Sequence, residues 1–183
     1  MSRDRVAIAQ ELLTLRCQQG ERMAWEELVR TWDGRLYYFI RRLIRHDADA
    51  FDVLQQTWLR VVRGMPSLDD PQKLVPWLYR IARNTAYTHA KLQDSTPDSL
   101  SERDEEWADP TSIRSEFEDA EQVHRGLESL TVPHREVLTL AFLEDMSIED
   151  VADVLGVPAG TVKSRLHYAK RALREAIEGP GAP

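Results

Sequence analysis

Residues 147–177, near the C-terminus, constrain the fold most, because their pattern predicts two short helices joined by a tight turn. Ser147 is a suitable N-cap, since a serine side chain can accept a hydrogen bond from a free backbone N–H group of the first turn. Gly156 is a suitable helix end, because glycine adopts the left-handed conformation at low cost, and Pro158 suits the start of the next helix. The pattern therefore predicts a helix-turn-helix. Another helix, capped by Thr131 and running to Asp145, is expected before it.

The second of these helices combines a narrow apolar side with a basic one. Its apolar residues recur at helical spacing, at Val162, Leu166, Ala169, Leu173 and Ile177. Residues 158–174 contain five lysines and arginines and no acidic residue. Such a helix can pack on a partner helix and present its basic side to the major groove of DNA. The alternative is a surface helix whose basic residues are merely solvated, and the capped helix before it favours DNA binding.

The composition predicts a soluble globular chain with one domain or two small ones. Of 183 residues, 42% are hydrophobic, and no apolar run approaches the ~18 residues of a membrane-spanning helix. The first residues contain acids and no apolar core of a signal peptide, so a cytoplasmic location is expected. The single cysteine, Cys17, excludes an internal disulfide, fits a reducing compartment and is expected to be a small, partly buried apolar residue.

The net charge of −7 is unusual for a protein that binds DNA, but this charge is unevenly distributed. Eleven acidic residues and two arginines lie between Asp94 and Glu121, which gives that segment a charge of −9. Serine, proline and like charges dominate residues 93–115, which indicates a flexible linker between domains. The acidity belongs to this segment and does not exclude nucleic acid as a ligand.

The N-terminal half is predicted to be helical throughout. Its first helix has an expected apolar face, outlined by Ile8, Leu12, Leu13 and Leu15, and a break is expected at Gln18-Gln19-Gly20. A helix at residues 49–63 has an expected apolar stripe, formed by Phe51, Leu54, Trp58 and Val61 or Val62. A helix at residues 72–91 has four basic residues, no acid and a face that mixes cations, amides and Tyr87. That face suits a phosphate backbone and unstacked bases, although a solvated surface explains it equally well.

Motifs of catalysis are missing from the sequence. It contains no Gly-rich phosphate loop, no GxSxG and no HExxH motif, and its five histidines have no cysteine partners at zinc-ligand spacing. We therefore expect an all-α chain of two small helical domains that is not an enzyme and that needs no cofactor or metal.

Three motifs resemble those of extracytoplasmic function (ECF) RNA polymerase sigma factors, in the family's order and over nearly the whole chain. They are DAFDVLQQTWLRV (49–61), PWLYRIARNTA (76–86) and PAGTVKSRLHYAKRALRE (158–175). The resemblance implies sigma region 2 at residues 1–92, an acidic linker at 93–115 and sigma region 4 at 116–183. It also implies three partners: the β and β′ subunits of core RNA polymerase, promoter DNA and an anti-sigma factor. The linker is further expected to enter the polymerase's basic cleft.

The resemblance also assigns roles to individual residues. Those expected to contact the −35 promoter element are Thr161, Lys163, Ser164, Arg165, His167, Tyr168, Lys170 and Arg171. Those expected to contact the −10 element are Leu68, Arg80, Arg83, Asn84, Tyr87, Thr88 and Lys91, where the loop at 65–71 and Asn84 form a pocket for a flipped base. Those expected to face the clamp helices of the β′ subunit are Asp49, Asp52, Gln55 and Gln56.

Three positions depart from the family's pattern. Phe51 and Gln56 stand where many members have an acid, and Tyr168 stands where an arginine is common. Two other functions are compatible with the motif-level evidence alone. One is a stand-alone helix-turn-helix regulator whose N-terminal domain dimerises or binds a signal, and the other is a helical adaptor without a role on DNA.

Overall fold

A computed structural model describes residues 3–44, 47–94, 123 and 125–178, and within these residues every regular element is a helix. The chain divides into two compact units, one built on the first four helices and the other on most of residues 97–183. The elements of the first unit are α1 (Arg3–Gln18), α2 (Arg22–Arg41), α3 (Asp47–Gly64), two 3₁₀ turns (Met65–Ser67 and Pro71–Lys73) and α4 (Leu74–Asp94). Those of the second are a helical segment at residues 125–129, α5 (Val132–Leu138), a π turn (Thr139–Leu143), α6 (Ile148–Leu155) and α7 (Ala159–Glu178).

Three aromatic rings form the centre of the N-terminal unit. The Tyr79 ring of α4 meets two rings of α2 edge-on, with centroids 6.3 Å from Trp32 and 5.1 Å from Phe39. All three side chains are buried, and rings in this arrangement contribute stability beyond the area that they bury. The Trp58 indole N–H of α3 donates a 2.7 Å hydrogen bond to Asp33 of α2, so the aromatic core and this bond fix α2 against α3 and α4.

The predicted apolar face of α1 was mostly wrong. Leu13 is buried, but Ile8, Leu12 and Leu15 are exposed. The buried face of α1 instead contains Leu13 with Thr14 and Cys17. The helix ends at Gln18, as the predicted break requires, because Gly20 follows with φ +78°. Cys17 is buried as expected, and burial raises the pKa of its thiol to about 11.

The predicted apolar stripe of α3 was right at Leu54 and Val61 but wrong at Phe51. The Phe51 side chain is 57% exposed and stacks on Tyr37, with ring centroids 4.6 Å apart. The buried face of α3 is rotated by about one residue from the predicted one, and it consists of Ala50, Val53, Leu54, Thr57 and Val61. Both sides of this helix carry large apolar residues, so the helical period alone did not identify the buried side.

In the C-terminal unit, the predicted helix from Thr131 to Asp145 is shorter than expected. Regular α-helix stops at Leu138, and the π turn carries the chain on to Leu143 before Asp145 adopts a positive φ of 50°. The Arg135 guanidinium donates to three carbonyl oxygens at the end of the preceding helical segment, those of Leu127, Glu128 and Leu130, over 2.8–3.0 Å. The Arg135 side chain therefore satisfies carbonyl groups at the C-terminal end of that segment, where a helix has no backbone donors of its own.

Gly126 marks the close approach of the 125–129 segment to α7. A Cβ atom at this position would lie 2.9 Å from Cδ1 of Leu173 and 3.0 Å from Cγ1 of Ile177. The absence of a side chain at Gly126 thus lets the C-terminal end of α7 pack directly on this segment.

The first two residues of the predicted linker, Gln93 and Asp94, belong to α4. Its other residues, including Trp107, and most of the acidic run lie outside the residues that the structure describes. Among the described helices, none combines the length and the hydropathy that crossing a membrane requires.

Candidate nucleic-acid interfaces

The predicted helix-turn-helix is present, and both of its predicted caps are confirmed. The Ser147 hydroxyl accepts a hydrogen bond from the Asp150 N–H at 3.0 Å and donates to the Asp150 carboxylate at 2.8 Å. Gly156 has φ +66°, and its N–H donates to the Ala152 carbonyl at 2.8 Å. These short-range bonds fix both ends of α6 and lead the chain directly into α7.

The helix α7 separates an apolar side from a polar one, as predicted. Val162, Leu166 and Ala169 are buried. All eight residues predicted to contact the −35 element lie on this one helix. Six of them are exposed, namely Lys163, Ser164, His167, Tyr168, Lys170 and Arg171, and the half-buried ones are Thr161 and Arg165.

Contacts with neighbours restrict three of these side chains. The Lys170 ammonium lies 4.7 Å from the centroid of the Phe142 ring, which belongs to the π turn. The His167 and Tyr168 rings meet edge-on, with centroids 5.5 Å apart. Such contacts limit the freedom of exposed side chains before a ligand arrives, which lowers the entropy lost on binding.

A second polar surface runs along α4, and we call it the α4 face. It consists of Arg80, Arg83, Asn84, Tyr87, Thr88 and Lys91, all exposed except the half-buried Arg83. The 11-residue separation of Arg80 and Lys91 gives the α4 face a length of about 17 Å at the helical rise. The Arg83 guanidinium lies 4.6 Å from the centroid of the Tyr87 ring, so a cation and an aromatic ring are already paired at the middle of this face.

The loop at residues 65–71 lies between α3 and α4, and it contains the half-buried Leu68. Met65 is buried and anchors the loop in the unit. The Gln18 side-chain amide of α1 donates to the carbonyl of Met65 at 3.1 Å and to that of Leu68 at 2.8 Å. Sequence reasoning missed this role of Gln18, which had been read only as part of a helix break. The available signal was its helical spacing from two other polar residues of α1, Glu11 and Thr14.

The residues predicted to face the polymerase clamp lie on α3. Asp52, Gln55 and Gln56 are exposed, and Asp49 is half-buried. Sequence reasoning did not include their exposed apolar neighbours, which are Phe51, Leu59 and Val62. Phe51, Gln55, Leu59 and Val62 follow one another at i, i+4, i+8 and i+11, so they form a continuous stripe on the surface of α3, which we call the α3 stripe.

Acidic and imidazole side chains do not gather into a metal site in the described part of the chain, where no three His, Cys, Asp or Glu residues are arranged to hold an ion. The exposed side of α7 and the α4 face consist mainly of amides, hydroxyls, aromatic rings and cations. This chemistry suits binding to phosphates, bases and protein surfaces.

Comparison with known proteins finds one family match in each helical unit. The family "Sigma-70 region 2" matches residues 28–96, and the family "Sigma-70, region 4" matches residues 120–173. The RNA polymerase sigma-H factor of Pseudomonas aeruginosa is 29% identical over 178 residues, which cover 91% of this chain and 92% of the relative. The ECF RNA polymerase sigma-E factor of Escherichia coli is 28% identical in an alignment that covers 93% of this chain and 95% of the relative.

Solved structures also share the fold. The sigma factor RpoE, solved in complex with the anti-sigma factor NepR from Bartonella quintana, is 24% identical and superposes with a TM-score of 0.68. That likeness covers 86% of this chain and 98% of the RpoE chain. The two family matches, in the same order as the two helical units, and relatives similar over nearly their whole length agree with the predicted fold class. The chain belongs to the ECF sigma factors of the sigma-70 family, which are initiation factors and not enzymes, and which direct RNA polymerase to promoters and take part in opening them.

Proposed function

We propose that this sigma factor recognises the −35 element through the exposed side of α7. Lys163, Ser164, His167 and Tyr168 reach base edges in the major groove. Four other residues hold the DNA backbone or support the helix on it: Thr161, Arg165, Lys170 and Arg171. The observation that carries the proposal is that these side chains lie on one helix, α7, whose other side is apolar and buried. The preceding helix, α6, is capped at both ends and leads directly into α7.

The ion pair of Arg171 does not prevent it from holding a phosphate. Its guanidinium donates to Glu175 at 2.8 Å, and this hydrogen bond raises the pKa of Arg171. Both side chains are largely exposed, and solvent screening makes exposed pairs of this kind weak. The Arg171 guanidinium can therefore leave Glu175 and bind a DNA phosphate at a small cost in free energy.

In the N-terminal unit, the loop at 65–71 and Asn84 capture a flipped base of the −10 element, with Leu68 at the loop's centre. Arg80, Arg83, Tyr87, Thr88 and Lys91 then follow the backbone of the separated strand along the α4 face. Unpairing and unstacking a base costs a few kcal/mol, so a preformed loop and a prepaired Arg83–Tyr87 contact favour the open promoter. Cations and an aromatic ring at helical spacing support this assignment, because single strands are bound by such combinations.

The clamp-facing surface of α3 combines polar and apolar contacts. Asp49, Asp52, Gln55 and Gln56 provide the polar contacts to core polymerase, as expected from the resemblance. To these we add the α3 stripe, whose residues Phe51 and Leu59 are each 57% exposed. Apolar side chains at the centre of a protein interface contribute more to affinity than charges at its rim. These apolar contacts compensate for the affinity that is lost because position 51 is a phenylalanine and not an acid.

The proposed function also includes the roles of the three parts of the chain, its location in the cell and its regulation. Residues 1–92 act as region 2, residues 93–115 as the acidic linker and residues 116–183 as region 4. The protein works in the cytoplasm, where RNA polymerase acts. An anti-sigma factor controls it, and this part of the proposal is supported by the fold shared with RpoE, which was solved with the anti-sigma factor NepR.

Transcription in vitro with purified core polymerase tests the proposal. The full chain should direct initiation at discrete start sites, and mapping of these sites should reveal common −35 and −10 sequences. Asn84→Ala should reduce permanganate reactivity of thymines in the −10 region while core binding stays at the wild-type level. Normal promoter opening by this variant would remove Asn84 from the pocket.

A further inference from the structure

Three polar side chains of α1 face the loop at 65–71 and the turn that follows it. They are Glu11, Thr14 and Gln18, which lie on one side of the helix at i, i+3 and i+7. The Gln72 amide donates to the Glu11 carboxylate at 3.2 Å, and the Thr14 hydroxyl lies 3.3 Å from the Pro71 carbonyl oxygen. Together with the two bonds of Gln18, these contacts connect α1 to both ends of the loop.

The Gln18 amide is the most specific of these contacts, because one nitrogen bonds two carbonyls of the same short turn. It donates to Met65 at 3.1 Å and to Leu68 at 2.8 Å, and the Leu68 N–H donates to the Met65 carbonyl at 3.2 Å. A primary amide nitrogen has two hydrogens, so these two bonds use its full donor capacity. The amide therefore fixes the positions of both carbonyls at once.

The loop has few other bonds that determine its shape. Ser67 bonds the Gly64 carbonyl at 2.8 Å, and Asp70 accepts from the Gln72 N–H at 3.0 Å. Both of these bonds are local and exposed, and each lies toward one end of the loop. Gln18 lies 47 and 50 residues away in sequence from its two partners, so its bonds tie the middle of the loop to a different helix.

We propose that Gln18 is a positioning residue for promoter opening: it holds the loop in the conformation that captures the flipped base. This inference rests on the proposed role of the loop. When the capturing conformation is only a fraction of the population, the apparent affinity for the flipped base falls by that fraction. Gln18 keeps the population of the capturing conformation high. It does so from α1, without contact to DNA.

The test compares Gln18→Met with Gln19→Met in reconstituted holoenzyme. Methionine has a similar length but no N–H donors, and Gln19 is the exposed neighbour at the same helix end. Loss of two neutral hydrogen bonds predicts a roughly 5- to 150-fold lower equilibrium constant for forming permanganate-reactive −10 complexes in Gln18→Met. Discrimination at the flipped-base position should fall with it. Gln19→Met should match the wild type in both measurements.

Three further readouts distinguish the positioning role from a general structural defect: core affinity, −35 selectivity and amide exchange at Leu68. On our inference, core affinity and −35 selectivity stay unchanged, and amide exchange at Leu68 becomes faster in Gln18→Met alone. Gln18→Glu should be more defective than Gln18→Met, because it directs carboxylate oxygens at two carbonyl oxygens. Equal losses of core binding, −35 selectivity and −10 discrimination in Gln18→Met would overturn the positioning role.

Failure of the proposed pocket gives a different result from failure of this inference. Asn84→Ala and Leu68→Ala should both reduce discrimination at the flipped-base position. If both do so and Gln18→Met does not, the pocket assignment stands and the positioning role is wrong. If none of the three variants affects promoter opening, the pocket assignment itself is wrong.

Discussion

The ammonium nitrogen of Lys170 lies 4.7 Å from the centroid of the Phe142 ring, a contact that links α7 to the π turn before α6. Short π segments are rare and occur often at functional sites. Phe142 is itself 56% exposed, so its ring covers little apolar core. The contact orients the lysine at the surface that we assign to the DNA backbone.

Phe142→Leu should weaken promoter binding about two- to fivefold for every −35 sequence, the range expected for loss of an exposed cation–π contact. The salt dependence should stay the same, because Lys170 keeps its charge. Lys170→Ala should instead reduce the salt slope by about one. Leu143→Ala, in the same π turn, is the control, and holoenzyme binding at several salt concentrations is the measurement. Loss of sequence discrimination in Phe142→Leu would contradict a backbone role for Lys170.

Lys163→Ala and His167→Ala should each relax selectivity at one −35 position, since a lost base contact costs about 1–3 kcal/mol of discrimination. Transcription from a set of single −35 substitutions measures this effect. Arg174→Ala is a matched control, because Arg174 is an exposed cation of the same helix that we do not assign to base contacts. Wild-type selectivity in both variants would mean that α7 is placed incorrectly on DNA.

Leu59→Glu should lower the affinity for core polymerase roughly 10- to 100-fold, the effect of placing a charge at the centre of an apolar contact. Met23→Glu changes a side chain of similar exposure on α2, 61% against 57%, and should bind as the wild type does. Titration of labelled protein with core polymerase measures both affinities. Equal losses in the two variants would indicate a general effect of added negative charge.

Gly156→Ala should destabilise the C-terminal unit by about 1–2 kcal/mol, because only glycine adopts its left-handed conformation without a steric cost. Gly160→Ala is the control. Gly160 lies in α7 with a helical φ and open space around its Cβ position, so alanine should be neutral or stabilising by up to about 1 kcal/mol. Urea unfolding followed by circular dichroism measures both changes. A Gly156→Ala variant that is more stable than Gly160→Ala would contradict the left-handed conformation of Gly156.

Cys17 should react with a thiol reagent at pH 8 at least ~100-fold more slowly in the folded chain than in urea, because burial raises its pKa to about 11 and only the thiolate reacts. The folded state retains the thiol proton to a higher pH than the unfolded state. The contribution of Cys17 to stability is therefore complete below about pH 9 and is lost as the pH rises toward 11. Cys17→Ala should remove this part of the decline in the free energy of unfolding. Equal reaction rates in the folded and unfolded chains would show that the thiol is accessible.

The helix-turn-helix could be predicted because its signals are local. The Ser147 cap and the left-handed Gly156 act within four residues of their partners, so sequence alone indicates both ends of α6. The π turn could not be predicted in this way, since no residue type specifies it. Most side chains assigned to DNA are exposed, whereas Leu68, Arg83, Thr161 and Arg165 are half-buried. Their roles stay predictions until the variants are measured.

The buried faces of α1 and α3 were less predictable for a physical reason. Each helix has apolar residues on more than one side, and the period of the pattern does not say which side packs. Leu12 and Phe51 fit the predicted stripes but are exposed, whereas Thr14 and Thr57 are buried. Gln18 was missed because its partners are almost 50 residues away, a relationship that appears only when the chain is folded.

The double hydrogen bond of Gln18 also limits how this loop can vary in length. Its two acceptors lie three positions apart in the sequence, and one amide nitrogen bonds both of them. An insertion or deletion between Met65 and Leu68 would move one carbonyl out of reach, however well the new residues suited a turn. Grafting a loop from another sigma factor to change −10 preference should therefore succeed when the spacing is kept or when position 18 is changed with it.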